Sequence, residues 1–188
     1  MKKFIKILGV PFIVIVLILA WNYFQVFSPV STKIKNDDRN KNITVWVYHQ
    51  FALNPNVIVF DLRSVTVGAS TIDVTRSLFQ SAEAIKDKSF DKVILSYEGR
   101  EKFYLEGAFF KNLGMEFGTQ NPVYTLRTLP ENIRNLDGTH PYGTWTGGWL
   151  GVTSRQMEDL KQFSNDWFLT EYKRKGIDIS KSSQSGTQ

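Results

Sequence analysis

The chain has 188 residues, a formal net charge of +5, two histidines and no cysteine. Without cysteine there is no thiol catalysis, no disulfide framework and no lipid-bearing thiol, and two histidines far apart in the chain form no zinc motif. The positive balance does not mark a nucleic-acid binder, because it is accounted for by Lys2, Lys3, Lys6, Lys33, Lys35, Arg39 and Lys41 against Asp37 and Asp38, so that the remainder is neutral and offers no basic face.

The N-terminus opens with three lysines and then the uncharged run ILGVPFIVIVLILAW, Ile7 to Trp21. At 1.5 Å per residue this run covers about 22 Å, short of a hydrocarbon core of roughly 30 Å. Continued through NYFQVF to Phe27 it reaches about 31 Å, with Trp21, Tyr23, Phe24 and Phe27 at the far interface, where amphipathic rings gather. Residues 1–27 therefore read as one transmembrane anchor. The alternative is a cleaved signal peptide, but a site with small residues at both −3 and −1 is missing: Ala20 has Ile18 at −3, and Ser28 is followed by Pro29. With lysines pressed against the start of the run, the expected topology is N-terminus inside and domain outside the cytoplasm.

Residues 28–43, SPVSTKIKNDDRNKNI, are polar, charged and aperiodic, and read as a basic linker beside the headgroups. Residues 44–175 are the expected folded domain, and the Ser/Gln/Gly-rich 176–188 a disordered tail. Within the domain, Thr44–Phe51 and Val57–Leu62 read as strands around a turn at Asn54–Asn56. A helix follows from Ser70, which has Asp73 at capping-box spacing and an apolar stripe of Val74, Leu78, Ala82 and Ile85. KVILSY and KFYLEG flank Gly99 as a hairpin. GAFFKNLGMEF reads as a short helix, and the stretch Asn121–Gly138, interrupted by Pro130, as two short pieces. A last helix is predicted from a Thr153–Gln156 capping box, with Val152 stapled to Met157 and a stripe of Met157, Leu160, Phe163, Trp167 and Phe168 running to about Arg174. Strand pairs followed by helices give an α+β fold, an antiparallel sheet with helices mainly on one face, preceded by a single N-terminal transmembrane helix.

For chemistry, His49 inside a strand reads as a structural or surface residue. Asp61, Glu98 and Glu106 are the carboxylates that an acid–base pair would draw on; an ion pair of Asp61 with Arg63 or Arg100 is the plainer account. The densest feature is GTHPYGTWTGGWLG, Gly138 to Gly151. Its glycine spacing mimics a phosphate loop, but Trp149 stands where the lysine belongs. Glycines leading into a helix leave amides that attract anions, and Tyr142, Trp145 and Trp149 offer a stacking platform. His140, Tyr142, Trp145 and Trp149 are accordingly the candidate ligand- or partner-binding residues. Of the two tryptophans, Trp149 is expected to pack beneath the last helix and Trp145 to be the exposed, functional ring.

The expectation from sequence is a membrane-anchored, extracytoplasmic and non-catalytic binding or accessory module of the bacterial envelope (an assembly, accessory or immunity-type role). It would sit in the inner membrane with the bilayer and a protein as partners, and with no cofactor, metal or nucleic acid. The alternatives are a periplasmic hydrolase with a carboxylate acid–base pair, a small-ligand protein for sugars or anions, and release to the periplasm after signal cleavage.

Overall fold

A computed structural model describes residues 2–176; of the tail expected at 176–188, all but Gly176 lies outside the described residues. The chain starts in one long helical rod. Helix α1, Lys2–Asn22, runs through a π-helical turn, Tyr23–Phe27, into α2, Ser28–Lys35. By length and composition, this N-terminal helix can cross a membrane. From Phe12 to Leu17, and at Leu19, its side chains are exposed, whereas Val26, Val30 and Ile34 are buried in the domain core.

The linker expected at 28–43 is therefore overturned. Val30 and Ile34 are four apart, so they share one helix face, and that face packs against the sheet and the next helix. Two apolar residues among charges make too short a period to register in sequence. The segment is also pinned by polar contacts. Asn40 is buried, donates to the Ile34 carbonyl (3.0 Å) and the Gln80 Oε1 (2.6 Å), and accepts from Arg76 Nη2 (3.1 Å). Asp37 accepts from Arg39 Nη2 (2.6 Å) and Gln80 Nε2 (2.7 Å), and the Arg39 contact foremost holds its carboxyl well below the usual range.

The strands are β1 (Ile43–Gln50), β2 (Asn54–Val65), β3 (Lys92–Tyr97), β4 (Arg100–Glu106) and β5 (Ile133–Asn135), lying side by side in chain order. The sheet is mixed, which corrects the all-antiparallel expectation. β1/β2, β3/β4 and β4/β5 are antiparallel, but β2 and β3 are parallel. The physical reason is the connection: helix α3, Thr71–Ala84, carries the chain back along the sheet, and a strand reached by such a crossover enters in the same direction as the one it left. The first turn also moves. Phe51 and Ala52, both with positive φ (53° and 62°), make it, while Asn54–Asn56 begins β2. The second hairpin turns at Glu98 and Gly99 (φ 51° and 79°), as the glycine suggests.

Helix α3 has the Ser70/Asp73 box in full: Asp73 N–H donates to Ser70 Oγ (3.2 Å) and Ser70 N–H to Asp73 Oδ2 (2.8 Å). Its stripe Val74, Leu78, Ala82 and Ile85 is buried. Helix α4, Gly107–Glu116, crosses α3 so closely that a Cβ at Gly114 would lie 2.3 Å from the Ala82 carbonyl oxygen. Helix α5, Pro122–Thr128, and a 3-10 turn, Pro130–Asn132, are the two pieces, the second opening on Pro130. Helix α6 spans Trp149–Ser164 and continues through a π-helical turn, Asn165–Leu169, and 170–176. Helices α2 to α6 share one core with the face of the sheet bearing Val45, Val47, Ile58, Phe60, Leu62, Val93, Leu95, Phe103 and Leu105. The opposite face carries only a small cluster, Val59, Ile94 and Tyr104, flanked by Tyr48 and Val57.

Candidate functional site

The stretch Gly138–Gly151 leaves β5 through a turn in which Asp137 Oδ1 accepts from the Thr139 N–H (2.9 Å) and Gly138 takes φ +92°. It then runs across α6. Each of the four candidate residues ends in a different environment. His140 is exposed, with Nε2 2.5 Å from Arg134 Nη1, and Arg134 also pairs with Glu106 (3.1 Å). Tyr142 is buried between Phe103 and Phe163, and its hydroxyl donates to Asp166 Oδ2 (3.1 Å). Burial first, and the Asp166 charge second, push its pKa far above the ordinary value for tyrosine. It is a core residue, not a contact residue.

Trp145 and Trp149 exchange the roles expected for them. Trp145 is half-buried: its Nε1–H donates to Asp159 Oδ2 (2.7 Å), and the Arg155 guanidinium lies 4.6 Å from its ring centre. The ring lies close over Gly143, where a Cβ would approach it to 2.8 Å. Trp149 is 71% exposed and Leu150 beside it 77%. The capping-box match misplaced the helix start by one turn. Gly148 precedes the first turn, so Trp149 belongs to the helix itself, and Thr153 lies inside it, accepting from Arg127 (3.5 Å) rather than capping. Met157, expected in the stripe, is exposed, while Leu160, Phe163, Trp167 and Phe168 are buried.

Helix α5 lies against α6. Arg127 reaches Thr153 and Gln156 of α6, and Gln156 in turn donates to Glu131. These contacts make α5 and α6 neighbours. One turn before Arg127 stand Val123 and Tyr124; one turn before Thr153 stand Trp149 and Leu150. All four are exposed. Scattered apolar residues are ordinary on a surface, but here four large exposed ones stand on the first turns of two neighbouring helices. Of these four, only Trp149 stood out in the sequence; the missing signal was the adjacency of α5 and α6.

The carboxylates are each held by cations. Asp61 is fully buried, accepts from the Gly99 N–H (2.9 Å) and lies 3.1 Å from Arg63 Nε, whose guanidinium sits over the Trp46 ring at 4.5 Å. Glu98 pairs with Lys175, and Glu106 with Arg134. Glu98 and Glu106 bracket opposite ends of β4. Among the described residues no group of three His, Asp or Glu side chains could hold a metal ion. His49 lies in β1, buried and stacked on Trp21 (4.2 Å between ring centres, 9° between planes), and neither ring nitrogen has a hydrogen-bond partner among the described residues. Burial pushes its pKa down.

A concavity of about 480 Å³ lies where the helical rod meets the sheet edge, lined by Leu19, Tyr23 and Phe27 on one side and Trp46, Tyr48 and Ala52 on the other, with Arg63 also at its wall. Compared with protein-family models, curated proteins and solved structures, the chain matches none.

Proposed function

We propose that the chain is a membrane-tethered binding module that docks a protein partner outside the cytoplasm on the patch formed by Val123, Tyr124, Trp149 and Leu150. The observation that carries this reading is the exposure of Trp149 and Leu150 at the start of α6. Rings of that size at 71% exposure leave apolar surface that a partner would remove from water, and tryptophan is enriched among the residues that dominate such interfaces. Asp61, fully buried beside Arg63, is out of reach of a substrate, which supports binding over hydrolysis at that carboxylate. The unbroken rod from α1 into α2 supports tethering, because it gives the domain a fixed attitude to the bilayer instead of a flexible leash.

The test is the double substitution Trp149→Ser with Leu150→Ser in the full chain. Stability of the variant, read by urea unfolding, should stay within about 0.5 kcal/mol of the parent, as for exposed positions. The size of the crosslinked complex in native membranes should fall to that of the chain alone. A complex of unchanged size would overturn the docking site.

A further inference from the structure

The tight turn between β1 and β2 lies beside the point where the helical rod enters the domain. Asn22 makes the join: its Oδ1 accepts from the His49 N–H (2.9 Å), and its Nδ2 donates to the Ala52 carbonyl (2.8 Å) and to Ile18 O (3.1 Å). Leu19 and Ala52 line one groove, and Trp21 stacks on His49. On either side of Ala52 stand Phe51, 81% exposed, and Leu53, 63% exposed.

We propose that this turn is a second membrane contact, with Phe51 and Leu53 immersed in the bilayer at the depth of Ile18–Asn22. The inference rests on the reading of α1 as an anchor, and three observations carry it beyond that reading. First, the apolar run Ile7–Trp21 covers about 22 Å of a hydrocarbon core of roughly 30 Å. Extending the span beyond Trp21 brings in Asn22, Tyr23 and Phe24. Asn22 is hydrogen-bonded to the turn, so those residues cannot enter the bilayer without it. Second, Leu19, Tyr23 and Phe24 are exposed on the rod, and Phe51 and Leu53 are exposed on either side of Ala52, which lines one groove with Leu19 and Tyr23. Third, the turn breaks its own local rule. Two successive left-handed residues call for Asn, Asp or Gly, yet Phe51 has φ 53° and Ala52 φ 62°. A bulky ring held in that strained region and facing outward points to a constraint other than folding.

The chain has no cysteine, so single cysteines can be placed and labelled cleanly in the full protein. An environment-sensitive fluorophore would be attached at Phe51→Cys, at Leu53→Cys, at Ile15→Cys in the rod, and at Val67→Cys. Val67 is 90% exposed in the connection after β2, at the other end of that strand. The proteins would be reconstituted in phosphatidylcholine–phosphatidylglycerol vesicles and read with spin-labelled lipid quenchers. Positions 51 and 53 should show blue-shifted emission and at least half the lipid quenching seen at position 15, with position 67 water-like. If 51 and 53 match 67 while 15 is quenched, the turn does not touch lipid and the anchor stands. If 15 is itself water-like, the anchor reading fails and takes this inference with it.

Discussion

Replacing Ile34 with Ala, and separately Val30 with Ala, asks whether 28–43 belongs to the domain. Ile34 is 5% exposed and Val30 1%, and both lie in the same core as Leu78 and Val47. Truncating a buried isoleucine to alanine costs about 2–5 kcal/mol. Val30 loses two methyl-sized groups at about 0.8 kcal/mol each, plus a cavity contribution, so about 2 kcal/mol is expected. The two sit one turn apart on the same face, so the double variant should not add exactly as the singles do. A domain of this size has about 5–15 kcal/mol in total, so the double loss would be readily seen. The assay is urea unfolding of the full chain in detergent micelles, followed by near-UV circular dichroism, with the exposed Lys35→Ala as control. The midpoints should fall while the slope with urea is unchanged. If both substitutions leave stability within about 0.5 kcal/mol, the segment is a solvated linker and the core assignment is wrong. A chain cut at residue 44 would lose Val26, Val30, Ile34 and Asn40 together, and should unfold more readily than one cut just before Asn22.

Other outcomes follow from particular contacts. Trp145→Ala removes the bond to Asp159 and the Arg155 stacking and should cost about 2 kcal/mol in thermal or urea unfolding, whereas Trp149→Ala should cost less than about 0.5 kcal/mol; equal losses would cancel the exchange of roles. Gly114→Ala places a methyl 2.3 Å from the Ala82 oxygen, against backbone that cannot swing aside, and should destabilise by about 3 kcal/mol or prevent folding, seen as lost near-UV signal. Ser70→Ala should cost about 1 kcal/mol by removing the cap of α3. His49 is held neutral by burial, so its folded pKa lies below its unfolded value of about 6.5. The unfolded chain then takes up the extra proton as pH falls through about 6.5, so stability is full above that pH and declines below it, by up to about 1.4 kcal/mol per pH unit. Comparing urea midpoints at pH 8 and 5.5 for the parent and His49→Phe checks this, since only the parent should weaken.

The local elements were legible because their signals are local. The Ser70/Asp73 box spans only four residues, and the stripes Val74–Leu78–Ala82 and Leu160–Phe163–Trp167 follow the helix period directly. The apolar run and its flanking lysines likewise expose a helix that can cross a membrane without reference to any other part of the chain. What tertiary structure decided is everything that depends on which surfaces meet. Val30 and Ile34 look like stray apolar residues until α3 and the sheet lie against them. A four-residue capping match at Thr153 was outweighed by the continuation of α6 back to Trp149, which turned one tryptophan outward, while Asp159 and Arg155 drew the other in. Parallel pairing of β2 with β3 is a property of the crossover, not of either strand, since both present the same β-branched runs in either direction. Sequence patterns fix the period of each element, because backbone geometry repeats over a few residues; packing fixes partners and exposure, because those depend on atoms that are distant along the chain and adjacent only after folding.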